Sequence, residues 1–489
     1  MKNLYRISLF SLIISCSMLS CTKDLNLDPI SQISNASFWK TENDANGGLY
    51  GMYVRFRGQA QNNLFLWGEA RSEVMNRSLA ALNGYNYYYD NALDRTNSGP
   101  TWQGMYTVVH DANLLLKYVP GIKFSSEASK NAILAQAYTM RAYVYFVMVK
   151  TWGDLPLVTE PIEGFSADAI QKERTAKTEL FKFIKQDLDA ALNLYPANTF
   201  STGRSIWSKP AANALKADVY LWTAKRENGG RPDLTTALAA LNDAQTGDVG
   251  LLDNYASIFD YGNKGNREIL MSVRFQDVEA TSTIFSDMYM SSAFMTNNTD
   301  AATKMLIGAF GGNPYWTVSN GVRAQFTVDD LRKQPSFVEI YATTGTYYGS
   351  IVYKFKGTVI GGARQFLDDV ILYRYADVLL MKAEAKNALG QDPGEEINLV
   401  RKRAYGAKYN DHIFVNGTGV QNDEAILKER LLELAFEGKR WWDLVRFGKA
   451  FEKVPSLGDR AGQNDLLLFP ISETTLSLEP KVKQNPGYK

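Results

Sequence analysis

Over residues 130–152 the apolar side chains return at every third or fourth position, at Leu134, Tyr138, Ala142, Tyr145, Val149 and Trp152. That rhythm matches the 3.6-residue turn, so the segment predicts a long helix with a buried stripe. Gly153-Asp154-Leu155-Pro156 supplies the stop. The pattern recurs over 208–226, where Ser208 can cap, Pro210 fits the first turn, and Ala211, Leu215, Val219 and Trp222 form the stripe. It recurs over 370–389 (Leu372, Ala376, Leu380, Ala383, with Gly390 as the stop) and over 423–447 (Leu427, Leu431, Leu434, Ala435). In the last of these, Glu429, Glu433 and Glu437 form a charged row on the opposite face. Further helices are predicted at 44–56, 102–119 and 179–194. Alanine is frequent on the buried faces, and small residues let helices approach closely, as in stacked helix pairs. The fold class is therefore mainly all-α, with no strict repeat period.

One long stretch departs from this rhythm. Residues 258–366 are rich in Gly, Ser, Thr and Tyr, with apolar residues in short runs such as 269–275 and 351–355, and read as an insertion of loops and short strands. It divides a helical scaffold at 21–257 from a helical region at 367–489. Residues 82–90, a tyrosine-rich segment, form a second irregular region, and the last forty residues show little helical period.

The first twenty residues predict a cleaved export signal. Lys2 and Arg6 provide the positive start, and the apolar stretch 7–19 is too short and too broken by serine to span a bilayer. Ser20-Cys21 resembles the lipobox of bacterial lipoproteins, in which the cysteine thiol receives the lipid. Met18 departs from that pattern, and Ile13-Ile14-Ser15-Cys16 fits it too, so Cys21 is the preferred lipidation site and Cys16 the alternative. These are the only two cysteines, which leaves the mature chain without a disulfide or thiolate metal site.

Composition narrows the partners. Removing Lys2 and Arg6 leaves 51 basic residues against 52 acidic ones, so no basic field exists to hold nucleic acid. Two histidines, His110 and His412, lie far apart in sequence and support neither a zinc site nor a histidine triad. No EF-hand-like spacing indicates calcium, and no local motif announces the paired carboxylates of a glycosidase. The 27 tyrosines exceed what a core needs, because each buried hydroxyl requires a partner; some belong on the surface, where amphipathic rings bind ligands.

Several segments resemble, in order, the RagB/SusD family of nutrient-uptake outer-membrane lipoproteins. They are Phe38-Trp39-Lys40-Thr41-Glu42-Asn43-Asp44-Ala45, Leu66-Trp67-Gly68-Glu69-Ala70-Arg71-Ser72-Glu73, and Ala142-Tyr143-Val144-Tyr145-Phe146 with Trp152-Gly153-Asp154-Leu155-Pro156. Arg374-Tyr375-Ala376-Asp377 with Ala383-Glu384-Ala385 follows, then Phe436-Glu437-Gly438-Lys439-Arg440-Trp441-Trp442-Asp443 and Gln484-Asn485-Pro486-Gly487-Tyr488. The resemblance implies tetratricopeptide-like helix pairs around an irregular insertion, and the missing catalytic motifs argue for no enzymatic activity and no cofactor. The resemblance also implies a surface-exposed lipoprotein that binds oligosaccharides, or in some branches peptides, for a SusC-type TonB-dependent transporter; the alternative reading is a helical-repeat scaffold that binds only protein partners. The motif charges Arg374, Asp377, Glu384, Glu437, Arg440 and Asp443 read as ion pairs between helices. Trp152, Trp441 and Trp442 read as core or partner-facing anchors.

Candidate ligand residues lie outside these motifs. Tyr85, Asn86, Tyr87, Tyr89 and Asp90 form one group, with Tyr85, Tyr87 and Tyr89 on one side if the segment is extended. Tyr315 and Trp316 form a second, and Tyr347-Tyr348-Gly349 a third. Rings match the apolar face of a sugar, and Asn or Asp its hydroxyl edge. On this reading Tyr87→Ala or Trp316→Ala weakens binding while leaving the melting temperature nearly unchanged.

Overall fold

The helices predicted at 44–56, 102–119, 130–152, 179–194 and 208–226 are present in a computed structural model that describes residues 38–488 apart from 79, 81–83, 165–169, 282 and 296–297. The leader, Cys16 and Cys21 lie outside the described residues. The long helices are α1 (Glu42–Ala60), α2 (Gln103–Tyr118), α3 (Glu127–Trp152), α4 (Lys177–Leu194), α5 (Lys209–Arg226), α6 (Gly230–Ala244), α7 (Tyr375–Ala388), α8 (Gly394–Tyr405) and α9 (Gly419–Leu434). Each packs on its successor, and α9 also packs on α7, so the scaffold is an array of tetratricopeptide-like helix pairs. Local chemistry sets the starts. Thr41 and Asp44 form a capping box on α1, Thr418 and Gln421 another on α9, and Ser208 caps α5 ahead of Pro210. By length and composition α3 could cross a membrane, yet 89% of its most apolar window is buried inside the protein, which makes it the core helix. Helices α6 and α8 were not anticipated from periodicity; both begin at glycine and bury mostly short Ala, Val and Ile side chains.

Among the described residues there are eight short strands, six of them (β2 to β7) in the insertion: β1 (Met75–Arg77), β2 (Ile269–Val273), β3 (Trp316–Val318), β4 (Phe337–Tyr341), β5 (Tyr347–Val352), β6 (Thr358–Ile360), β7 (Ala363–Gln365) and β8 (Val370–Arg374). All pair antiparallel, as β1–β3, β2–β8, β4–β5 and β6–β7. The β2–β8 pair closes the base of the insertion, and β1 ties it to the N-terminal scaffold. The main apolar core runs without interruption from Ala45 to Val482 and takes in all three segments.

Two helices differ from expectation. The predicted helix at 370–389 starts as β8, because Val370-Ile371-Leu372-Tyr373 is an apolar run that pairs with β2; α7 begins only at Tyr375. The predicted helix at 423–447 breaks after Leu434. Phe436 and Gly438 adopt φ of 72° and 73°, and a short helix, α10 (Arg440–Arg446), then starts again. The break is held from the other end of the chain. The buried Glu69 carboxylate accepts the N–H groups of Phe436 (2.8 Å), Lys439 (2.8 Å) and Arg440 (3.3 Å), so it caps α10 in trans. Gly68 sits so close that a Cβ there would come within 2.0 Å of the Gly438 carbonyl oxygen. The C-terminal tail closes the same region. Asn485 donates to the carbonyls of Trp152 (3.0 Å) and Phe469 (2.8 Å), and Arg71 donates to those of Leu466 (2.5 Å) and Leu468 (2.9 Å).

The row of Glu429, Glu433 and Glu437 is buried, contrary to an ordinary solvated face. Arg374 donates to Glu268 (2.9 Å), Glu433 (2.7 Å) and both oxygens of Glu437 (2.8 and 2.9 Å). Arg332 reaches Asp330, Glu429 and Glu433; Arg403 reaches Glu268 and Glu433; and Lys354 reaches Glu437. Beside them Arg430 bridges Asp377 and Asp443, and Arg446 bridges Glu384 and Asp443. The motif charges are thus buried ion pairs, with Arg440 closed on Glu73 (2.6 Å), while Trp152, Trp441 and Trp442 lie in the core.

Removing one partner of such a network leaves charge buried without compensation, at a cost of about 3–5 kcal/mol. Arg374→Met is therefore expected to lower the melting temperature clearly in scanning calorimetry; an unchanged transition would contradict the network's role. Burial alone would raise the Glu384 carboxyl, but Arg446 and Lys225 together bring it down to about 2, and Asp377 and Glu433 are depressed likewise. A depressed carboxyl contributes stability above its unfolded pKa, near 4, and loses it as pH falls through the folded value. Thermal stability should accordingly fall steeply between pH 4 and about 2, which a melting series against pH would check.

Candidate functional site

The β1–β3 pairing sets Met75, Asn76 and Arg77 opposite Val318, Thr317 and Trp316. Trp316 is fully buried. Its ring lies 4.6 Å from Tyr85 at 35°, 5.8 Å from Tyr89 edge to face, and within 6.3 Å of Tyr88 and Phe65. Residues 86–89 form a helical turn, so the extended arrangement predicted for Tyr85, Tyr87 and Tyr89 does not occur. Tyr85 turns inward and donates to Asp287 Oδ2 at 2.6 Å. Burial pushes the Tyr85 hydroxyl far up, so it remains the donor, and raises the Asp287 carboxyl to about 6. Asn86 accepts the N–H of Gly84, Tyr87 is half-buried, and Tyr315 packs against Tyr85 at 6.2 Å. These aromatics form a cluster that fastens residues 84–91 to the insertion. Trp316 as a ligand-facing ring is thereby corrected: a fully covered side chain is packing, not platform.

Tyr89 and Asp90 face outward, into an open cleft of about 1050 Å³. One wall is β1 and β3 with the 89–90 turn, and another is the tip of the β4–β5 hairpin at Tyr347, Tyr348 and Gly349. The third comes from α9 at Glu424 and Lys428 and from residues 453–456. The first and third predicted groups therefore meet at one site, Tyr89 and Asp90 from one and Tyr347 and Tyr348 from the other. Asn76, Thr317, Asn320 and Gln325 add hydrogen-bonding groups at the rim. Tyr347 is held by the Arg323 guanidinium, 3.8 Å from its ring centre, and Tyr348 by a hydroxyl contact with Thr299. Burial raises the Tyr89 hydroxyl, and the Arg77 charge tempers that rise. Asn76, Arg77, Asn320 and Lys428 escaped sequence reasoning, since they sit on a three-residue strand, a single turn and a scaffold helix that carry no local motif.

A second cavity, about 50 Å³, is lined by Tyr143, Lys150, Asp218, Tyr373 and Trp442. Burial lowers Lys150 to about 8, and the amine lies 3.9 Å from the centres of both the Phe146 and Trp442 rings. That volume holds a water or two, not a sugar. Among the described residues no three His, Cys, Asp or Glu side chains converge to hold a metal ion. Because Trp316 fills the core of the aromatic cluster, Trp316→Ala is expected to cost about 3–5 kcal/mol of stability, whereas Tyr89→Ala should leave thermal unfolding nearly unchanged. Equal melting temperatures for the two variants would contradict this division.

Comparison with known proteins agrees with the architecture. The model of the family described as "SusD family" matches residues 331–488, and that described as "Starch-binding associating with outer membrane" matches residues 30–221. SusD-like protein P38 of Formosa agariphila is 30% identical over the whole of both chains. Among solved structures, NanU of B. fragilis is 32% identical with a TM-score of 0.85, covering 95% of this chain and all of that one. A SusD superfamily protein of Bacteroides vulgatus is 31% identical with a TM-score of 0.83, covering 92% of this chain and all of that one. On this identity across the full length, the chain belongs to the SusD family of surface-exposed outer-membrane lipoproteins.

Proposed function

We propose that this protein captures oligosaccharides at the cell surface in the cleft between β1–β3, the β4–β5 tip and α9, and delivers them to a SusC-type TonB-dependent transporter. It is a binding protein and catalyses no reaction. In this reading residues 1–20 are removed, Cys21 carries the lipid, and the protein is tethered and not membrane-spanning. Residues 21–257 and 367–489 form the frame, and the 258–366 insertion supplies β3 and the tyrosine hairpin.

The observation that carries the reading is the meeting of Tyr89, Asp90, Tyr347 and Tyr348 in one open cleft. Its volume lies at the upper end of the roughly 300–1,000 Å³ usual for small-molecule pockets, which favours a chain of sugar rings over a single one. Tyr89 offers a ring braced edge-on by Trp316, and its neighbour Asp90 offers a carboxylate to the hydroxyl edge. The family description of starch binding at the outer membrane supports a glycan.

Isothermal calorimetry of the full chain against oligosaccharide and peptide panels tests this. Tyr89→Ala and Tyr347→Ala are each expected to weaken oligosaccharide binding at least tenfold with the melting temperature nearly unchanged. Unaltered affinity in both variants would move the site elsewhere, and binding confined to the peptides would replace the ligand class.

A further inference from the structure

We propose that the cleft selects anionic glycans, chains bearing carboxylate or sulfate groups, through Arg77 and Lys428. The inference rests on the glycan reading above and sharpens it.

Charge in the cleft is unevenly committed. Glu73 is closed by Arg440, whose Nε and Nη2 donate to it at 2.9 and 2.6 Å. Glu424 is closed by Lys449 and by Lys453 at 3.2 Å, and both lysines also reach Glu452. Among the described residues, neither Arg77 nor Lys428 has a carboxylate within ion-pair distance, although both line the cleft and both are exposed. Among the described residues Asp90 is the one cleft carboxylate left without an ion pair, and it stands with Tyr89 on the Arg77 side. The α9 wall thus presents Lys428 with no unpaired carboxylate beside it. Among its described residues the cleft offers two free cations against a single free carboxylate, in a chain whose charges nearly balance.

Arg77 is suited to the task by position as well as charge. Its strand is fixed by pairing with β3, and its charge reaches the Tyr89 hydroxyl. A guanidinium beside an aromatic ring can grip a planar carboxylate or a sulfate with two parallel N–H donors while the ring takes the sugar face. Lys428, on the α9 wall, acts as a point charge on a neighbouring acidic group. Two cations on different walls suit a chain with repeated charges better than a single acidic sugar.

The test uses calorimetry on the full chain with three probes: a neutral β-glucan oligosaccharide, an oligouronate and a sulfated galactan oligosaccharide, each at about 50 and about 300 mM NaCl. At low salt one or both anionic probes should bind at least tenfold tighter than the neutral one, and the advantage should shrink at high salt. Preference for the oligouronate or for the sulfated chain identifies which acidic group is recognised. Arg77→Gln and Lys428→Gln should each weaken anionic binding about tenfold, a clearly larger loss than either causes for the neutral probe. Neutral binding as tight as anionic, or an anionic preference that persists in the double variant, would overturn charge selection and leave the glycan site standing. Failure of all three probes to bind would overturn the glycan reading and this inference together.

Discussion

The guanidinium of Arg374 is the point on which the architecture turns. It sits where strand β8 becomes helix α7, and its donors are taken up by Glu268 from the start of the insertion, by Glu433 at the end of α9 and by Glu437 in the break that follows. Three stretches of chain that have no apolar reason to meet at a fixed angle are therefore held by directional bonds. Hydrophobic burial is indifferent to orientation, and the continuous core of this protein would tolerate small slippages between helices. A guanidinium with paired carboxylates would not, since each misplacement strands a charge away from water. The insertion inherits its placement from this junction.

Much of this frame is legible in the amino-acid sequence. Three- and four-residue spacing locates α3, α4 and α5 closely, and Ser208-Lys209-Pro210 marks a start with chemistry that needs no tertiary context. Reading fails where a segment's partner lies far away in sequence. Val370–Arg374 carries an apolar pattern compatible with helix, and only its pairing with Ile269–Val273 makes it a strand. The helix break at Phe436 depends on Glu69, more than 360 residues earlier. Glu429, Glu433 and Glu437 show the same limit in electrostatics, because spacing alone cannot distinguish a solvated row from one neutralised by Arg332, Arg374 and Arg403.

The candidate site was half legible. Tyrosine enrichment drew attention to residues 85–90 and 347–348, which converge on the cleft. Aromatic composition could not tell which rings face outward, and Trp316, the largest of them, proved to be the brace behind Tyr89. The polar and charged residues of the cleft come from elements whose sequence announces only scaffold. Their common placement is a product of the β1–β3 pairing, itself three residues long.

The trans cap of Glu69 on α10 and the grip of Asn485 on Trp152 have a kinetic side. Both join chain segments separated by more than 330 residues, so their loop-closure entropy must be met before their hydrogen bonds repay it. Helices α1 to α6 can form early from local contacts, but the surface against which α9 and α10 dock stays open until residues 436–488 arrive. During export this leaves an interval in which a long run of apolar side chains is uncovered. A chain of this design folds from the front yet is sealed from the back, and its dependence on chaperones in the periplasm should scale with the time taken to deliver that last segment.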